Sequence, residues 1–161
     1  MESTVTSTSL DSSPKISTAT RHDLDQLGVM GSLFAQQYGQ GLMKFNPQIF
    51  IKTMKEYMAK SLGIVLCSHE EFDLTGAIAG GVYPNVFDGE LCASEFFWYV
   101  WPGAAKGTGT CLIEAFEEWA RDRGATRVTM AYMLHNEPER LAAFYTKRGY
   151  LAFETHYVKT L

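Results

Sequence analysis

Two glycines, Gly107 and Gly109, separate an aromatic segment from an amphipathic one, and they restrict the fold more than any other feature of the sequence. Residues 92–101 are strongly aromatic and stop at Pro102, which predicts a strand. Residues 108–123 carry apolar side chains at helical spacing, which predicts an amphipathic helix. Amides at the start of such a helix point outward, and the helix dipole attracts anions. The segment therefore predicts either a pyrophosphate-binding loop or a tight turn that binds nothing.

Two common nucleotide-binding loops are excluded by the residues around these glycines. A dinucleotide fingerprint needs a third glycine at the position that Leu112 occupies. A P-loop needs Gly-Lys-Ser or Gly-Lys-Thr after four spacer residues, and the sequence contains neither. ATP and NAD are therefore not the expected ligands.

The order of the predicted elements indicates an α/β fold with a mixed central sheet. Thr20 and Asp23 resemble the start of a first helix, and Asn46 followed by Pro47 opens a second. The predicted strands cover residues 15–20, 63–67, 74–83, 92–101, 126–134 and 150–159, and the predicted helices cover residues 23–37, 47–58, 108–123 and 138–148. Small residues between 76 and 81 predict that another group packs closely against the backbone of the strand at residues 74–83.

The composition predicts one globular domain over residues 15–161, preceded by a flexible Ser- and Thr-rich tail at residues 1–14. Fourteen Lys and Arg against eighteen Asp and Glu give a net charge of −4, so unmodified nucleic acid is not an expected partner. The stretch from 96 to 110 is interrupted by Pro102 and glycines, so no membrane span is expected.

The three cysteines, Cys67, Cys92 and Cys111, lack CxxC spacing, and the histidines have no metal-ligand spacing. No signal peptide is recognisable at the start of the chain. We therefore expect a reduced, soluble, cytoplasmic protein that binds no metal.

Two motifs about forty residues apart resemble those of the GNAT acetyltransferases. The first is a strand ending near Val-x-Pro, then Arg/Gln-x-x-Gly-x-Gly/Ala and a helix, and it reads Val100 to Gly109 here. The second, Leu/Phe-Tyr-x-x-x-Gly-Phe/Tyr, reads Phe144 to Tyr150. The resemblance covers residue 91 to the C-terminus and implies a sheet of about six to seven strands with about four flanking helices. The residues around 95–102 look most like small GNAT proteins encoded by tailed bacteriophages.

This sequence departs from the GNAT pattern at Ala104, where the family usually has Arg or Gln, and the loop after Pro102 is one residue short. Lys106 is a cation that can partly replace the missing side chain. The resemblance implies acetyl-CoA as the cosubstrate and implicates the end of the fourth strand, the glycine loop and a later asparagine in binding it. These residues are Tyr99, Val100, Ala105, Lys106, Gly107, Thr108, Gly109, Thr110 and Asn136.

The resemblance also implies two catalytic residues. Tyr145 matches the family tyrosine that protonates the departing thiolate, although a core tyrosine would occupy the same helical position. Glu95 matches a strand glutamate that accepts the proton of the amine. Strand alternation places Glu95 on the face of Phe97 and Tyr99, where desolvation is expected to raise its pKa. A solvent-facing glutamate is the competing interpretation for Glu95, and an ordinary turn residue for Asn136.

The predicted activity is transfer of an acetyl group from acetyl-CoA to a primary amine by direct attack in a ternary complex. The acceptor classes left open are a protein amine, a polyamine or aminoglycoside, and an amino-modified base. Ala104 keeps a second hypothesis open, a catalytically degenerate module that binds CoA or a protein partner. A phage structural protein that has kept only the fold is the third, and exposed strand edges predict a homodimer.

Overall fold

The computed structural model of the protein describes residues 13–161, so nearly all of the predicted tail lies outside the described residues. The chain divides into two compact units, one ending at Met130 and the other running from Ala131 to Leu161. The prediction of a single domain from residue 15 to 161 stays a prediction beside this division.

The described residues of the first unit form five strands, three helices and one short 3-10 turn at Arg21–Asp23. The strands are β1 (Ile16–Thr18), β2 (Gly63–Glu70), β3 (Asp73–Pro84), β4 (Leu91–Val100) and β5 (Arg127–Thr129). The helices are α1 (Leu24–Tyr38), α2 (Pro47–Ala59) and α3 (Thr108–Asp122). The second unit contains α4 (Pro138–Lys147).

The strands form one mixed sheet in the order β1-β2-β3-β4-β5. The first four pair antiparallel, and β5 pairs parallel to β4. The predicted α/β class with a mixed sheet is therefore confirmed. The return from β4 to a parallel β5 runs through α3, as a parallel connection requires a crossover.

Helices cover both faces of the sheet. On one face, buried residues of α1 and α2 pack against Phe97 and Tyr99 of β4. On the other face α3 approaches β3 so closely that a Cβ on Gly76 would lie 2.9 Å from Leu112 and one on Gly80 would lie 2.7 Å from Phe116. The small residues of β3 are therefore needed because helices pack directly on its backbone, as their clustering predicted.

The first helical segment begins with a hydrogen-bonded cap. The Asp23 carboxylate accepts hydrogen bonds from the backbone and hydroxyl of Thr20, at 2.6 and 2.9 Å. It also lies 2.7 Å from Nε2 of His69 on β2. Burial alone would raise the pKa of Asp23, but the hydrogen bonds of His69 and Thr20 outweigh burial and lower it. The cap therefore fastens the start of α1 to the sheet.

Asn46 caps α2 as its sequence predicted, because its side-chain oxygen accepts from the amides of Gln48 and Ile49. Pro47 occupies the first turn of the helix. Pro47 has no backbone N–H to leave unpaired at this position, so the Asn-Pro pair fixes where the helix begins.

The predicted sheet of six to seven strands is wrong in number, since the described residues form five. The predicted strand at 126–134 is shortened to Arg127–Thr129, and residues 150–159 form no strand. A strand needs a partner for its backbone as well as alternating side chains, and no ladder is formed by residues 150–159. Alternation in this last segment therefore predicted a strand without indicating what would pair with it.

Within residues 13–161, no helix combines the length and the apolar composition needed to cross a bilayer. The same residues contain no group of three or more His, Cys, Asp or Glu side chains placed to hold a metal ion.

Candidate active site

The ladder between β4 and β5 is short and lies at the start of β4. It joins Cys92 to Arg127 and ends where Ser94 pairs with Thr129. Tyr99 and Val100 lie well beyond the last rung of that ladder, at the end of β4 that leads into the glycine loop. The two parallel strands are therefore paired only at one end.

A β-bulge interrupts β4 at Phe96. Ala79 pairs with Phe97 and Gly80 pairs with Glu95, so Phe96 is the extra residue. Both Phe96 and Phe97 point to the face covered by α2, because the ring of Phe96 lies 4.6 Å from that of Tyr57 and the ring of Phe97 lies 5.3 Å from that of Phe50.

The bulge corrects the predicted position of Glu95. Directly paired residues project to the same face, and a Cβ on Gly80 would point at Phe116 of α3. Glu95 therefore lies on the α3 face, opposite Phe97 and Tyr99, and is half-buried there. Simple alternation failed because one inserted residue reverses the faces of every residue before it.

The side chain of Tyr99 belongs to the core. Its ring packs edge-on against Trp101 at 5.7 Å, and its hydroxyl lies 3.4 Å from the side-chain oxygen of Gln37. Burial raises the pKa of Tyr99, and the nearby Tyr38 adds to this effect while the Gln37 contact opposes it. Only the backbone of Tyr99 is suited to a ligand.

The loop after β4 is fastened by its own backbone. Trp101 donates to the carbonyl of Thr75 at 2.9 Å, which continues the sheet for one residue. The amide of Ala104 donates to the carbonyl of Trp101, and the amide and hydroxyl of Thr108 both donate to the carbonyl of Ala105. These bonds fix a turn that leads directly into α3.

Gly107 is the residue that allows this turn. Its φ is +95°, a conformation that side-chain-bearing residues rarely adopt. A Cβ at this position would meet no atom within 4 Å, so space is open beside the backbone. Ala105, Lys106 and Gly107 are all exposed, whereas Thr108 is buried. A ligand can therefore approach the backbone of Gly107 through open space.

The first turn of α3 packs tightly against the end of β4. A Cβ on Gly109 would lie 3.1 Å from the indole of Trp98 and 3.5 Å from Val100. Gly107 thus allows a positive φ in the turn, and Gly109 allows the helix to pack closely against the strand. Thr110 follows in the same turn and is half-buried.

The hairpin that joins β2 and β3 reaches the same loop. The backbone amide of Ala105 donates to the Glu70 carboxylate at 3.0 Å, and this contact is exposed. Gln26 of α1 holds the hairpin on its other side, because its side chain accepts from the amide of Leu74 and donates to the carbonyl of Phe72. No pattern in the sequence indicates the contact between Glu70 and the loop.

A shallow depression of about 400 Å³ lies beside the bulge. Three aromatic residues from α2, β3 and β4 contribute to its lining, and the ammonium of Lys60 lies 4.9 Å from the ring centre of Tyr57. Its lining residues are Tyr57, Lys60, Leu62, Gly81, Val82, Tyr83, Ser94, Glu95 and Phe96. Phe96 and Tyr83 are 42% and 46% exposed, so aromatic surface is available to a bound molecule.

Tyr145 lies on α4 in the second unit, where it is buried. Its ring stacks on Tyr132 at 6.1 Å and also packs against Phe144 and Tyr150. Its hydroxyl donates to the carbonyl of Ala131 at 3.2 Å. The hydroxyl is thus held in a fixed direction by its own unit.

Asn136 lies in the turn before α4, and its backbone amide donates to the carbonyl of Met133 at 2.9 Å. The structure therefore places Asn136 and Tyr145 in the second unit and all the other predicted site residues in the first. In the first unit, β4, the loop and the start of α3 form one continuous surface.

The three cysteines are free and differ in exposure. Cys67 and Cys92 are buried, and Cys111 in the first turn of α3 is half-buried. Burial raises the pKa of Cys67 to about 12, and the negative charge of Asp23 acts in the same direction. Cys67 is therefore an unreactive thiol and has no role as a nucleophile.

Comparison with known proteins assigns the family. The sequence matches the family described as Acetyltransferase (GNAT) over residues 32–150, most of the chain. The chain belongs to the GNAT acetyltransferase family. It is an enzyme of the acyltransferase class, as its motifs predicted.

Solved structures of other proteins share the GNAT fold. A transcriptional regulator from Bacillus halodurans C-125 is 19% identical with a TM-score of 0.76, over 92% of this chain and 100% of that chain. An aminoglycoside acetyltransferase from an uncultured soil metagenomic sample, in complex with sisomicin, is 17% identical with a TM-score of 0.68, over 91% and 95%. An acetyltransferase from Trypanosoma brucei is 17% identical with a TM-score of 0.68, over 92% and 100%.

At these identities the likeness shows the fold alone. No curated protein matches the sequence of this GNAT enzyme. The resemblance to phage-encoded members is not supported by the matches and stays a prediction.

Two features of this GNAT enzyme were missed from its sequence. The bulge at Phe96 leaves no pattern in an aromatic run, because Phe96 and the residue that follows it, Phe97, are both apolar and aromatic. Glu70 lies in the charged segment at residues 69–71, which by itself predicts only a turn, although antiparallel β2, β3 and β4 place that turn at the same end of the sheet as the glycine loop. The topology therefore indicates that the turn and the glycine loop lie at the same end of the sheet, but it does not predict the hydrogen bond between Glu70 and Ala105.

Proposed function

We propose that this GNAT enzyme transfers an acetyl group from acetyl-CoA to a primary amine by direct attack in a ternary complex. The observation that carries the proposal is the arrangement of β4, the glycine loop and α3. The β4–β5 ladder ends at Ser94, and the loop that follows β4 exposes its backbone around Gly107. The family match makes acetyl-CoA the natural donor for this surface.

The free loop has both the space and the electrostatic field that the diphosphate of acetyl-CoA needs. Space is open where a Cβ of Gly107 would stand, and the N-terminal dipole of the fifteen-residue helix α3 favours an anion there. In the proposal the loop residues Ala105 to Thr110 hold the diphosphate, with Lys106 as the cationic neighbour. The backbone of Tyr99 and Val100 holds the pantetheine arm, and Asn136 orients it.

Acetyl-CoA supplies the thioester whose carbonyl carbon is attacked. In the proposal Glu95, which the bulge places on the α3 face, accepts the proton that the amine loses as its nitrogen bonds to the carbonyl carbon, and it does so through water. Tyr145 donates its hydroxyl proton to the sulfur as the carbon–sulfur bond breaks. The proton count balances when, after CoA leaves, Glu95 releases its proton to solvent and Tyr145 recovers one from solvent.

The depression beside the bulge is the proposed acceptor site. Its aromatic walls suit an amine attached to a flat apolar body. The one cation among its lining residues, Lys60, offers no attraction to a polycation, although Glu56 lies 4.0 Å from its ammonium and offsets part of its charge. The acceptor preference is tested by measuring kcat/KM with an acceptor panel of four amines: a phenylethylamine, a lysine peptide, spermidine and an aminoglycoside. We expect the phenylethylamine to give the highest kcat/KM.

Ala104 favours a second function, a module that binds acetyl-CoA without turning it over. The side chain that the family usually supplies at this position is absent, and the amide of Ala104 is used within the loop itself. Binding without turnover of any amine in the panel is the outcome that would support this function. The phage structural role is weaker still, and it requires that no CoA species binds.

The first experiment measures the thermal midpoint of the purified enzyme with and without acetyl-CoA. A ligand at a hundredfold excess over its Kd stabilises a protein by about 2.7 kcal/mol. For a chain of this size the midpoint should rise by about 5–10 °C. No rise at millimolar acetyl-CoA would contradict the proposed donor.

A matched pair of lysine variants tests whether the loop is the binding surface. Lys106→Ala should weaken the thermal shift, because it removes the loop cation. Lys55→Ala, on the exposed side of α2, removes the same charge elsewhere and should leave the shift unchanged. Equal shifts in both variants would remove Lys106 from the binding site. Turnover is then measured by thiol release with the acceptor panel.

A further inference from the structure

The carboxylate of Glu70 already occupies part of the loop that the proposed function assigns to a diphosphate. Ala105 belongs to that loop, and its amide donates to Glu70 at 3.0 Å. A carboxylate oxygen and a phosphate oxygen are both anionic acceptors of a backbone N–H. One amide hydrogen cannot bond both well, so the two anions compete for the same donor.

The position of Glu70 is built into the fold. Glu70 is the last residue of β2 and pairs with Asp73 across the hairpin. The hairpin turn is made by Glu71 at φ +56°, and Gln26 of α1 bonds the backbone on its far side. The turn therefore presents Glu70 to the loop from a supported strand end.

The charges around the contact also oppose a phosphorylated ligand. The hairpin carries three carboxylates, at Glu70, Glu71 and Asp73, whereas Lys106 is the only cation among loop residues 102–107. Ala104 offers no positive side chain at the position where the family usually has one. A diphosphate that approaches the loop therefore meets a net negative surface, and Glu70 is the carboxylate of that surface that is hydrogen-bonded to the loop.

We propose that Glu70 is an internal competitor for the diphosphate of acetyl-CoA, which caps the Ala105 amide in the free enzyme and must be displaced when the cosubstrate binds. The inference rests on the proposed function, because it concerns the same loop. It assigns to Glu70 a positioning role that keeps the free loop ordered and lowers its affinity for acetyl-CoA.

The test compares acetyl-CoA dissociation constants, measured by calorimetry, for the wild-type enzyme and three variants. Glu70→Ala removes both the charge and the acceptor and should bind acetyl-CoA about tenfold more tightly, the size expected for release of a hydrogen bond to a charged group. Glu70→Gln removes the charge alone and should lie between Glu70→Ala and the wild type. Glu71→Gln removes the same charge one residue away and should change the affinity by less than about twofold, because an exposed charge is screened by solvent.

A second measurement does not depend on any ligand. The amide resonance of Ala105 in a nitrogen–proton NMR spectrum should shift as Glu70 is titrated with acid. The shift should be absent in Glu70→Ala and should persist in Glu71→Gln. An Ala105 resonance that does not shift with acid in the wild-type enzyme would contradict the contact between Glu70 and Ala105 on which the inference rests.

The outcomes separate the two proposals. If the wild type binds acetyl-CoA and Glu70→Ala binds it no more tightly, competition by Glu70 is overturned and the proposed donor stands. If Glu70→Ala alone binds measurably, the competition is supported in its strongest form. If neither binds at millimolar acetyl-CoA, the proposed function and the inference fall together, whatever the Ala105 resonance does.

Discussion

The hydroxyl of Tyr145 is held by the carbonyl of Ala131, and its ring is stacked on Tyr132. Tyr145→Phe should keep the ring and lose only the proton donor. We expect kcat to fall by roughly a hundredfold, the lower range for general acid catalysis, with an unchanged Kd for acetyl-CoA.

Tyr132→Phe is the matched control for that prediction. It makes the same chemical change on the other ring of the stacked pair, and it should leave kcat near the wild-type value. An unchanged kcat in Tyr145→Phe would remove Tyr145 from the mechanism. A fall of equal size in both variants would point to packing instead of proton transfer.

Glu95 is the second residue whose role can be tested directly. Glu95→Gln should remove the acidic limb of the kcat/KM profile, because an amide cannot accept the proton of the amine. Glu118→Gln, on the exposed side of α3, is the control and should leave the profile intact. A Glu95→Gln profile that overlays the wild type would show that water or another group is the base.

At the residue scale, the sequence predicted which residues form the loop and the strand better than it predicted which face of the strand each side chain occupies. Gly107 and Gly109 were both expected to serve the loop, and the structure gives each a distinct reason. The predicted face of Glu95 is wrong, because a bulge at Phe96, directly before Phe97, does not interrupt the apolar pattern. Residue identity alone does not report a one-residue change in strand register.

The interface between β3 and α3 depends on the absence of side chains at two positions. At Gly80 an added Cβ would meet the carbonyl of Ser94 and the ring of Phe116, and at Gly76 it would mainly meet the flexible end of Leu112. Gly80→Ala should therefore destabilise the protein by about 2–3 kcal/mol, and Gly76→Ala by about 1 kcal/mol. Denaturant unfolding at pH 7 measures both, and a larger loss for Gly76→Ala would contradict this packing.

The cap of the first helical segment predicts a dependence of stability on pH. The pKa of Asp23 is lowered in the folded state, so its charged form adds stability above its unfolded pKa of about 3.9. That contribution is lost as the pH falls through the lower folded pKa. Asp23→Asn should cost about 1–2 kcal/mol at pH 7, the value of a hydrogen bond to a charged group.

The difference in unfolding free energy between the wild type and Asp23→Asn should shrink below about pH 4 as Asp23 is protonated. Asp25→Asn, two residues away and exposed, is the control and should show little difference at either pH. A cost for Asp23→Asn that stays constant down to pH 2.5 would mean that the charge of Asp23 contributes nothing to the cap.

Elements with local signals were predicted well from the sequence. The Asn46-Pro47 start of α2 and the cap at Thr20 are fixed by atoms within three or four residues, and so both were visible in the sequence. The strands at 126–134 and 150–159 depended on distant partners, and one was shortened while the other is absent from the described sheet. Side-chain alternation cannot specify which backbone will complete a ladder.

Across the whole molecule, the three cysteines should react at very different rates. The buried thiols Cys67 and Cys92 are shielded in the native state, and burial raises the pKa of Cys67 to about 12. We expect one thiol to react rapidly with a disulfide reagent at pH 8, and all three after denaturation. Cys111→Ser should abolish the rapid phase, and its persistence would show that a buried cysteine becomes exposed.

At this scale the sequence predicted the α/β class from the order of its elements, and the family from two motifs at a fixed separation. It did not predict the strand count or the division into two compact units. The homodimer and the acceptor stay predictions, since each depends on surfaces that a partner molecule completes.

The bulge at Phe96 also divides β4 into two halves with opposite rules for substitution. Before it, even-numbered residues face the α2 side, and after it, odd-numbered residues do. A saturation mutagenesis map of β4 should therefore show a two-residue rhythm of tolerance that changes phase at position 96. Deleting Phe96 would merge the two rhythms into one, and every remaining residue of β4 would keep the face and the β3 partner that it has now.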